Sequence, residues 1–347
     1  MKVLVTGGAG FIGSHVAEYF AQKGDDVIVF DNLKRKELLC KSTGDPYHNV
    51  EYLKQFPQVN LVMGDIRKFG DLKGASKGID IIVHTAGQVA VTSSVNDPRS
   101  DFEINALGTL NVLEIARLYN ASVLYCSTNK VYGNNVNTIP VREEMSRYSF
   151  NDERYSKGIP EEFPVDLCGH SPYGCSKLSG DFYCQDYAET YGLRTGVFRM
   201  SCVYGERQFG VEDQGWISWF TIAALKDQPI TIYGDGKQVR DVLHVSDLVC
   251  GFDAFIKSNV KHGVFNFGGG PNYTLSLLEL LELLTNLLGK RPQISFAGWR
   301  ASDQKVYISR ITKANKLLKW APQMRQEEGV SKMVKWLQTH FLEDIPK

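Results

Sequence analysis

The sequence predicts an α/β chain organised on a doubly wound parallel sheet, with a smaller α/β part towards the C-terminus. Three observations carry this. The chain opens on an apolar run, Val3-Leu4-Val5, which breaks into Gly7-Gly8-Ala9-Gly10-Phe11-Ile12-Gly13 and resumes as a helical pattern through His15, Val16, Tyr19 and Phe20. A second apolar run, Val27-Ile28-Val29-Phe30, ends in Asp31. Beyond it, short apolar runs keep alternating with helix-length segments, the pattern of strands paired in parallel through right-handed crossovers.

The first of these features is a strand, a turn and a helix in order. Four glycines in seven positions permit a tight turn and a close approach of backbone to ligand. The helix that follows presents unpaired N–H groups and a positive end, which favour a phosphate. Asp31 stands near the ~20-residue offset at which an acidic side chain meets an adenosine ribose. Together they read as a Rossmann-type dinucleotide site.

Further strands are expected at residues 59–62, 79–85, 123–127 and 192–199, and one helix over residues 101–119. Ligands of such sheets lie beyond the carboxyl ends of the strands. Asp31, Asp65, Ala86 and Thr128 all follow strand ends and can line one crevice. Asp65 either accepts from an adenine amino group, with Ile66 against the ring, or caps the next turn. Asn105, polar within an apolar helix pattern, either faces solvent or satisfies buried backbone groups near the site. Residues 134–170 carry little periodicity and prolines at 140, 160 and 164, and read as a surface excursion near the substrate.

At Ser171-Pro172-Tyr173-Gly174-Cys175-Ser176-Lys177, Ser171 suits a helix N-cap and Pro172 the first helical position. Tyr173 and Lys177 are then one turn apart on one face. An ammonium and a positive helix end both favour phenolate, so the Tyr173 pKa is expected to fall, making it a proton acceptor and donor. Farther on, Ser276-Leu277-Leu278-Glu279 matches a capping box, and Gly289 ends the leucine-rich helix that it opens. Arg240 and Arg300 are either phosphate ligands or surface arginines. The expected division places a dinucleotide-binding domain at 1–200 with a returning segment near 230–260. A substrate-binding domain then takes 201–229 and 261–347.

Composition excludes several classes. Lysine and arginine together number 39, as do aspartate and glutamate, so nothing favours nucleic acid. No apolar stretch is long enough to span a membrane. The chain enters a strand at once, so no signal peptide is expected and a cytoplasmic protein is. Seven cysteines, an odd number without Cys-x-x-Cys, fit a reducing compartment. Seven scattered histidines lack ligand spacing, and no metal is expected.

The glycine turn, Ser127-Thr128 and Tyr173-x-x-x-Lys177 together resemble the extended short-chain dehydrogenase/reductase family of nucleotide-sugar enzymes, over nearly the whole chain. Narrower stretches, Gln88-Val89-Ala90-Val91-Thr92, Ser127-Thr128-Asn129-Lys130-Val131-Tyr132-Gly133 and Asp213-Gln214-Gly215-Trp216, resemble its epimerases of CDP-linked dideoxy sugars. The resemblance implies a tightly bound NAD held by Gly7, Gly10, Phe11, Ile12, Gly13, Asp31, Asn32, Asp65, Ile66, Ala86, Gln88, Asn105, Tyr173 and Lys177. It implies Tyr173 as acid/base, Lys177 on the nicotinamide ribose and Thr128 on the reacting oxygen. It further implies a nucleotide diphosphate sugar, with CDP as the nucleotide, touching Thr128, Asn129, Arg207, Gln208, Gln214, Arg240 and Arg300. The reaction implied is inversion at C2 through a keto-sugar, in a homo-oligomer. A UDP-hexose 4-epimerase shares the same fold and triad, and a redox-sensing regulator shares the fold alone. A 4,6-dehydratase needs carboxylates beside Thr128, where this chain has Asn129 and Lys130. Met200 stands where some relatives carry histidine.

Overall fold

The computed structural model describes residues 1–39, 45, 47–300 and 303–341. Cys40, counted among the cysteines above, lies outside them. Five strands follow one another through the first part: β1 (Lys2–Thr6), β2 (Asp26–Asp31), β3 (Val59–Met63), β4 (Ile81–His84) and β5 (Ser122–Thr128). With Thr195–Met200 and His262–Phe267 they form a seven-stranded sheet, parallel throughout. Its order runs from His262–Phe267 through Thr195–Met200, β5, β4, β1 and β2 to β3 at the far edge.

Both faces of the inner strands are buried, which is why β1, β2 and β4 read as nearly unbroken apolar runs, whereas β3 at the edge is largely exposed. Val3 and Val5 enter one core with Val16, Ala17 and Phe20 of helix α1 (Phe11–Gln22), while Leu4 enters the opposite core with Val112 and Ile115. The alternation follows from the two-residue repeat of a strand.

Three expectations change on folding. The single helix over 101–119 is broken by a π-helical turn, Glu103–Leu107, before it resumes at Gly108–Tyr119. Residues 134–170 are not a loose excursion. They hold a short hairpin, Val141–Glu143 with Tyr148–Phe150, and a small core of their own built on Tyr132, Val136, Ile139, Ile159, Phe163 and Tyr307. Its apolar residues are irregularly spaced, so periodicity did not reveal them.

The third change concerns the return to the large sheet. Ile230–Tyr233 stays in the smaller part, paired with Ile294–Ala297. The chain returns with the helix Val245–Lys257 and the strand His262–Phe267. Ala314, Leu318 and Trp320 then pack on the same core, Trp320 stacking on Phe267 at 4.1 Å between ring centroids.

In the smaller part, the helices Trp216–Leu225, Leu277–Leu288 and Gln326–Phe341 enclose a third core. The capping box is formed: Glu279 N–H donates to the Ser276 hydroxyl (3.1 Å) and Ser276 N–H to the Glu279 carboxylate (2.8 Å). No helix among the described residues is long and apolar enough to cross a membrane.

Candidate active site

A crevice opens at the carboxyl ends of β1 to β4. The turn between β1 and α1 forms its floor. Gly7 has φ +67°, and a Cβ there would meet the Ala86 nitrogen at 2.6 Å. A Cβ on Gly13 would collide with the Gly7 carbonyl. Gly10 caps α1 without a side chain, so the first amides of the helix are left to whatever enters the crevice.

Asp31, at the end of β2, accepts from Ala9 N–H (3.0 Å) and Leu33 N–H (2.8 Å), and its burial raises its pKa. Asn32 donates to Asp65 (3.2 Å). Asp65 is gripped by Arg67, whose guanidinium lies 2.7 Å away and holds the carboxyl down to about 2. Arg67 N–H also donates to it (3.0 Å), so of the two readings the turn cap is the one seen, with Asp65 still on the crevice wall. Ile66, Ala86, Gln88, Phe11 and Ile12 complete that wall, together with Gln208 and Gln214 from the smaller part. Arg35 ties this side to the smaller part by donating to the Phe209 carbonyl (2.6 Å) and to Gln214 (3.3 Å).

Asn105 is buried, which decides its two readings. Its carbonyl oxygen accepts from Gln88 N–H (2.9 Å), and its amide donates to the Gln88 carbonyl (3.1 Å), Asp101 (3.1 Å) and Ser176 (3.2 Å). Asp101 also accepts from the Ser176 hydroxyl (2.5 Å) and Gln88 (3.0 Å). The π-turn swings Asn105 inward to join the loop after β4 to the helix that carries Tyr173.

That helix spans Pro172–Tyr191, with Ser171 as N-cap accepting from Gly174 N–H (3.2 Å). Lys177 is buried, with its ammonium 4.3 Å from the Tyr125 ring centroid, and desolvation draws its pKa down to about 8. Nearby His84 is held neutral by burial, near 3. Tyr173 does not show the expected fall. Burial pushes it up to about 12, and a hydrogen bond with Thr128 only partly opposes this. The ammonium one turn along sits over Tyr125 instead, so helical spacing alone did not set the sign. Thr128 closes β5, with Asn129 beside it, and Thr128 accepts from Lys130 N–H (3.2 Å). Behind them Ser127 donates to Asp181 (2.8 Å), itself paired with buried Arg199 at 2.9 Å.

A second cavity lies between the two parts of the chain. Its wall includes Thr92, Lys130, Gly133, His170, Trp216, Tyr233, Arg240, Arg300 and Asp303. Arg240 pairs with Asp303 at 2.6 Å; Arg300 pairs with Asp213 at 3.2 Å and lies 3.9 Å over the Tyr233 ring. Both expected phosphate arginines therefore line this cavity. Arg207 does not. It sits under α1, where it pairs with Glu18, donates to Ser14 (3.3 Å) and covers the Tyr52 ring at 4.2 Å. Its backbone is left-handed, with φ +61°.

Residues 3–268 match the model of the NAD dependent epimerase/dehydratase family. The chain belongs to that family. It is 41% identical to CDP-paratose 2-epimerase of Salmonella typhi, over 97% of this chain and 99% of that protein. Among solved structures it is similar to the UDP-glucose 4-epimerase of Thermotoga maritima with UDP-glucose (TM-score 0.82, 29% identity, 98% of this chain and 99% of that one). The UDP-glucose 4-epimerase of Thermus thermophilus in complex with NAD is similar too (TM-score 0.79, 30% identity, 97% and 99%).

As a member of the epimerase/dehydratase family the protein is an enzyme whose cofactor is NAD. The crevice fits that group: side-chain-free glycines under an uncapped helix end for a pyrophosphate, and a half-buried carboxylate, Asp31, at the adjacent strand end for a ribose. Sequence reasoning missed Asp101 and Ser176 as partners of Asn105, and left out Lys130. The run Ser127 to Gly133 held the signal for Lys130, as a basic residue two positions after Thr128.

Proposed function

We propose that this protein inverts C2 of a CDP-linked dideoxyhexose, converting CDP-paratose to CDP-tyvelose. The observation that carries the reading is the 41% identity to a CDP-paratose 2-epimerase across nearly the full length of both chains. The positions of the residues support it. Tyr173 hydrogen-bonds Thr128, and Ser171 and Lys130, two residues from Tyr173 and Thr128 respectively, line the second cavity, so in this reading a sugar held there reaches both hydroxyls.

In this reading the glycine turn holds the pyrophosphate, Asp31 the adenosine ribose and Lys177 the nicotinamide ribose. NAD, when bound, would supply the acceptor that takes the hydride from C2, the donor that gives the same hydride back, and a positively charged ring. Thr128 holds the C2 oxygen, and Tyr173 takes its proton as the alcohol becomes a ketone. The keto-sugar then offers the opposite face of C2 for the returning hydride, and Tyr173 gives the proton back to the oxygen, which leaves the inverted alcohol. A phenol near pKa 12 needs added positive charge to serve as a base, and the nicotinamide ring would supply it. Arg240 and Arg300 hold the diphosphate, guanidinium to phosphate.

CDP-paratose deuterated at C2 tests the reaction. Product with inverted C2 and deuterium kept at C2, read by NMR, is the expected result. Inversion at C4, or loss of the label to water, overturns it. The second reading, a UDP-hexose 4-epimerase, is favoured by the likeness to the Thermotoga maritima structure, and turnover of UDP-glucose in the same assay would select it.

A further inference from the structure

Lys130 has no role in the account so far. It stands two residues past Thr128, donates its backbone N–H to the Thr128 hydroxyl (3.2 Å), and lies half-buried on the wall of the second cavity. The other charges of that wall are matched. Arg240 is paired with Asp303 (2.6 Å) and Arg300 with Asp213 (3.2 Å), and Glu212 accepts from the Tyr233 hydroxyl (2.9 Å). Among the described residues the Lys130 ammonium has neither an ion pair nor a hydrogen bond, although Arg240, Asp303 and Cys202 are close enough to act on it. Burial draws it down to about 8, and the Arg240 charge adds to that fall. A cation partly withdrawn from water and without a partner gains from the arrival of an anion.

We propose that Lys130 binds the sugar-side phosphate of the nucleotide sugar and so draws the anomeric end towards Thr128 and Tyr173, presenting C2 rather than C4. The second half of this rests on the reading above. C2 adjoins the anomeric carbon, whose oxygen carries the phosphate. With C2 at the Thr128 hydroxyl, that phosphate lies a few bonds away, within reach of a lysine two residues along the chain. With C4 there, the whole ring separates the phosphate from Thr128, and Lys130 would face the sugar instead.

The test measures CDP and cytidine binding to the NAD-loaded protein, wild type against Lys130→Met, Lys130→Gln and Lys130→Arg. CDP affinity is expected to fall about 30-fold or more in the first two and by less than about 10-fold in the arginine variant. Cytidine affinity and NAD content should not change. Unchanged CDP affinity in both neutral variants overturns the proposal, as does a parallel loss for cytidine, which would mean a deformed cavity. C2 inversion of CDP-paratose should slow in step with the loss of CDP affinity. If wild type inverts C4 of a UDP-hexose while Lys130→Met still loses affinity for the diphosphate, the reaction proposed above fails and the phosphate contact stands.

Discussion

The two cavities are built by different means. The dinucleotide crevice is framed mainly by backbone: a glycine turn, an uncapped helix end and the ends of four neighbouring strands, with half-buried Asp31 on its wall. The sugar-side cavity is made of long side chains from segments as far apart as Thr92 and Asp303, held by ion pairs across its wall. A backbone site has few ways to vary, and its shape follows from strand order. A side-chain site can be retuned one residue at a time. Cofactor is thus expected to be common to the whole family while sugar and base differ between members, as the relatives' names indicate.

The comparison is tested hardest at the Tyr173–Thr128 pair. Tyr173→Phe should leave NAD bound and cut turnover by ~10²–10⁴-fold, the range of general acid–base catalysis. Turnover within a few-fold of wild type would remove Tyr173 from the chemistry. On the sugar side alone, Arg240→Ala leaves Asp303 without its partner. It should weaken nucleotide-sugar binding by about 2–5 kcal/mol and leave NAD content unchanged. Calorimetric titration gives the first quantity and absorbance of the released dinucleotide the second. An equal loss of NAD would mean that the two cavities are not separable.

Lys177 sharpens the comparison from the crevice side, because its burial is a cost carried by the ligand-free fold. Its pKa lies near 8 in the folded chain against 10.5 when free, so below pH 8 both states carry the charge and only the folded one suffers for it. Between pH 8 and 10.5 the unfolded chain binds more protons, and the penalty fades as pH rises. Lys177→Met should therefore be more stable than wild type by about 2–3 kcal/mol at pH 7, with the gap closing towards pH 10.5. Denaturant midpoints at several pH values measure this, and a gap that widens with pH would contradict it. The smallest effect belongs outside both cavities. Ser276→Ala removes the capping box at a cost of about 1 kcal/mol, with ligand affinities unchanged.

How much could be read beforehand follows the same line. The glycine turn, Asp31 and the Ser171 cap were legible because each is a local pattern whose partners lie within a few tens of residues. Asn105 was noticed, but not the π-turn that aims it, since a single extra residue in a helical turn leaves the apolar pattern nearly intact. Its partners Gln88 and Ser176 lie 17 and 71 residues away. Arg207 was misplaced for a related reason: its partner Glu18 is 189 positions earlier, and no local pattern announces the pair. The Tyr173 shift had the wrong sign because helical spacing shows neighbours along a face and not how much water the fold removes.

The return of the chain to the large sheet has a consequence for how the protein is made. His262–Phe267 forms the edge strand beside Thr195–Met200, and Trp320 then stacks on Phe267, so the first core is finished only by residues from the last third of the chain. A ribosome has released almost the whole sequence before that edge can be covered. Contacts this distant along the chain are slow to form, and the nascent chain meanwhile exposes an unpaired strand edge. A fragment ending before residue 262 should be captured by chaperones or aggregate, although it carries the entire glycine-turn motif.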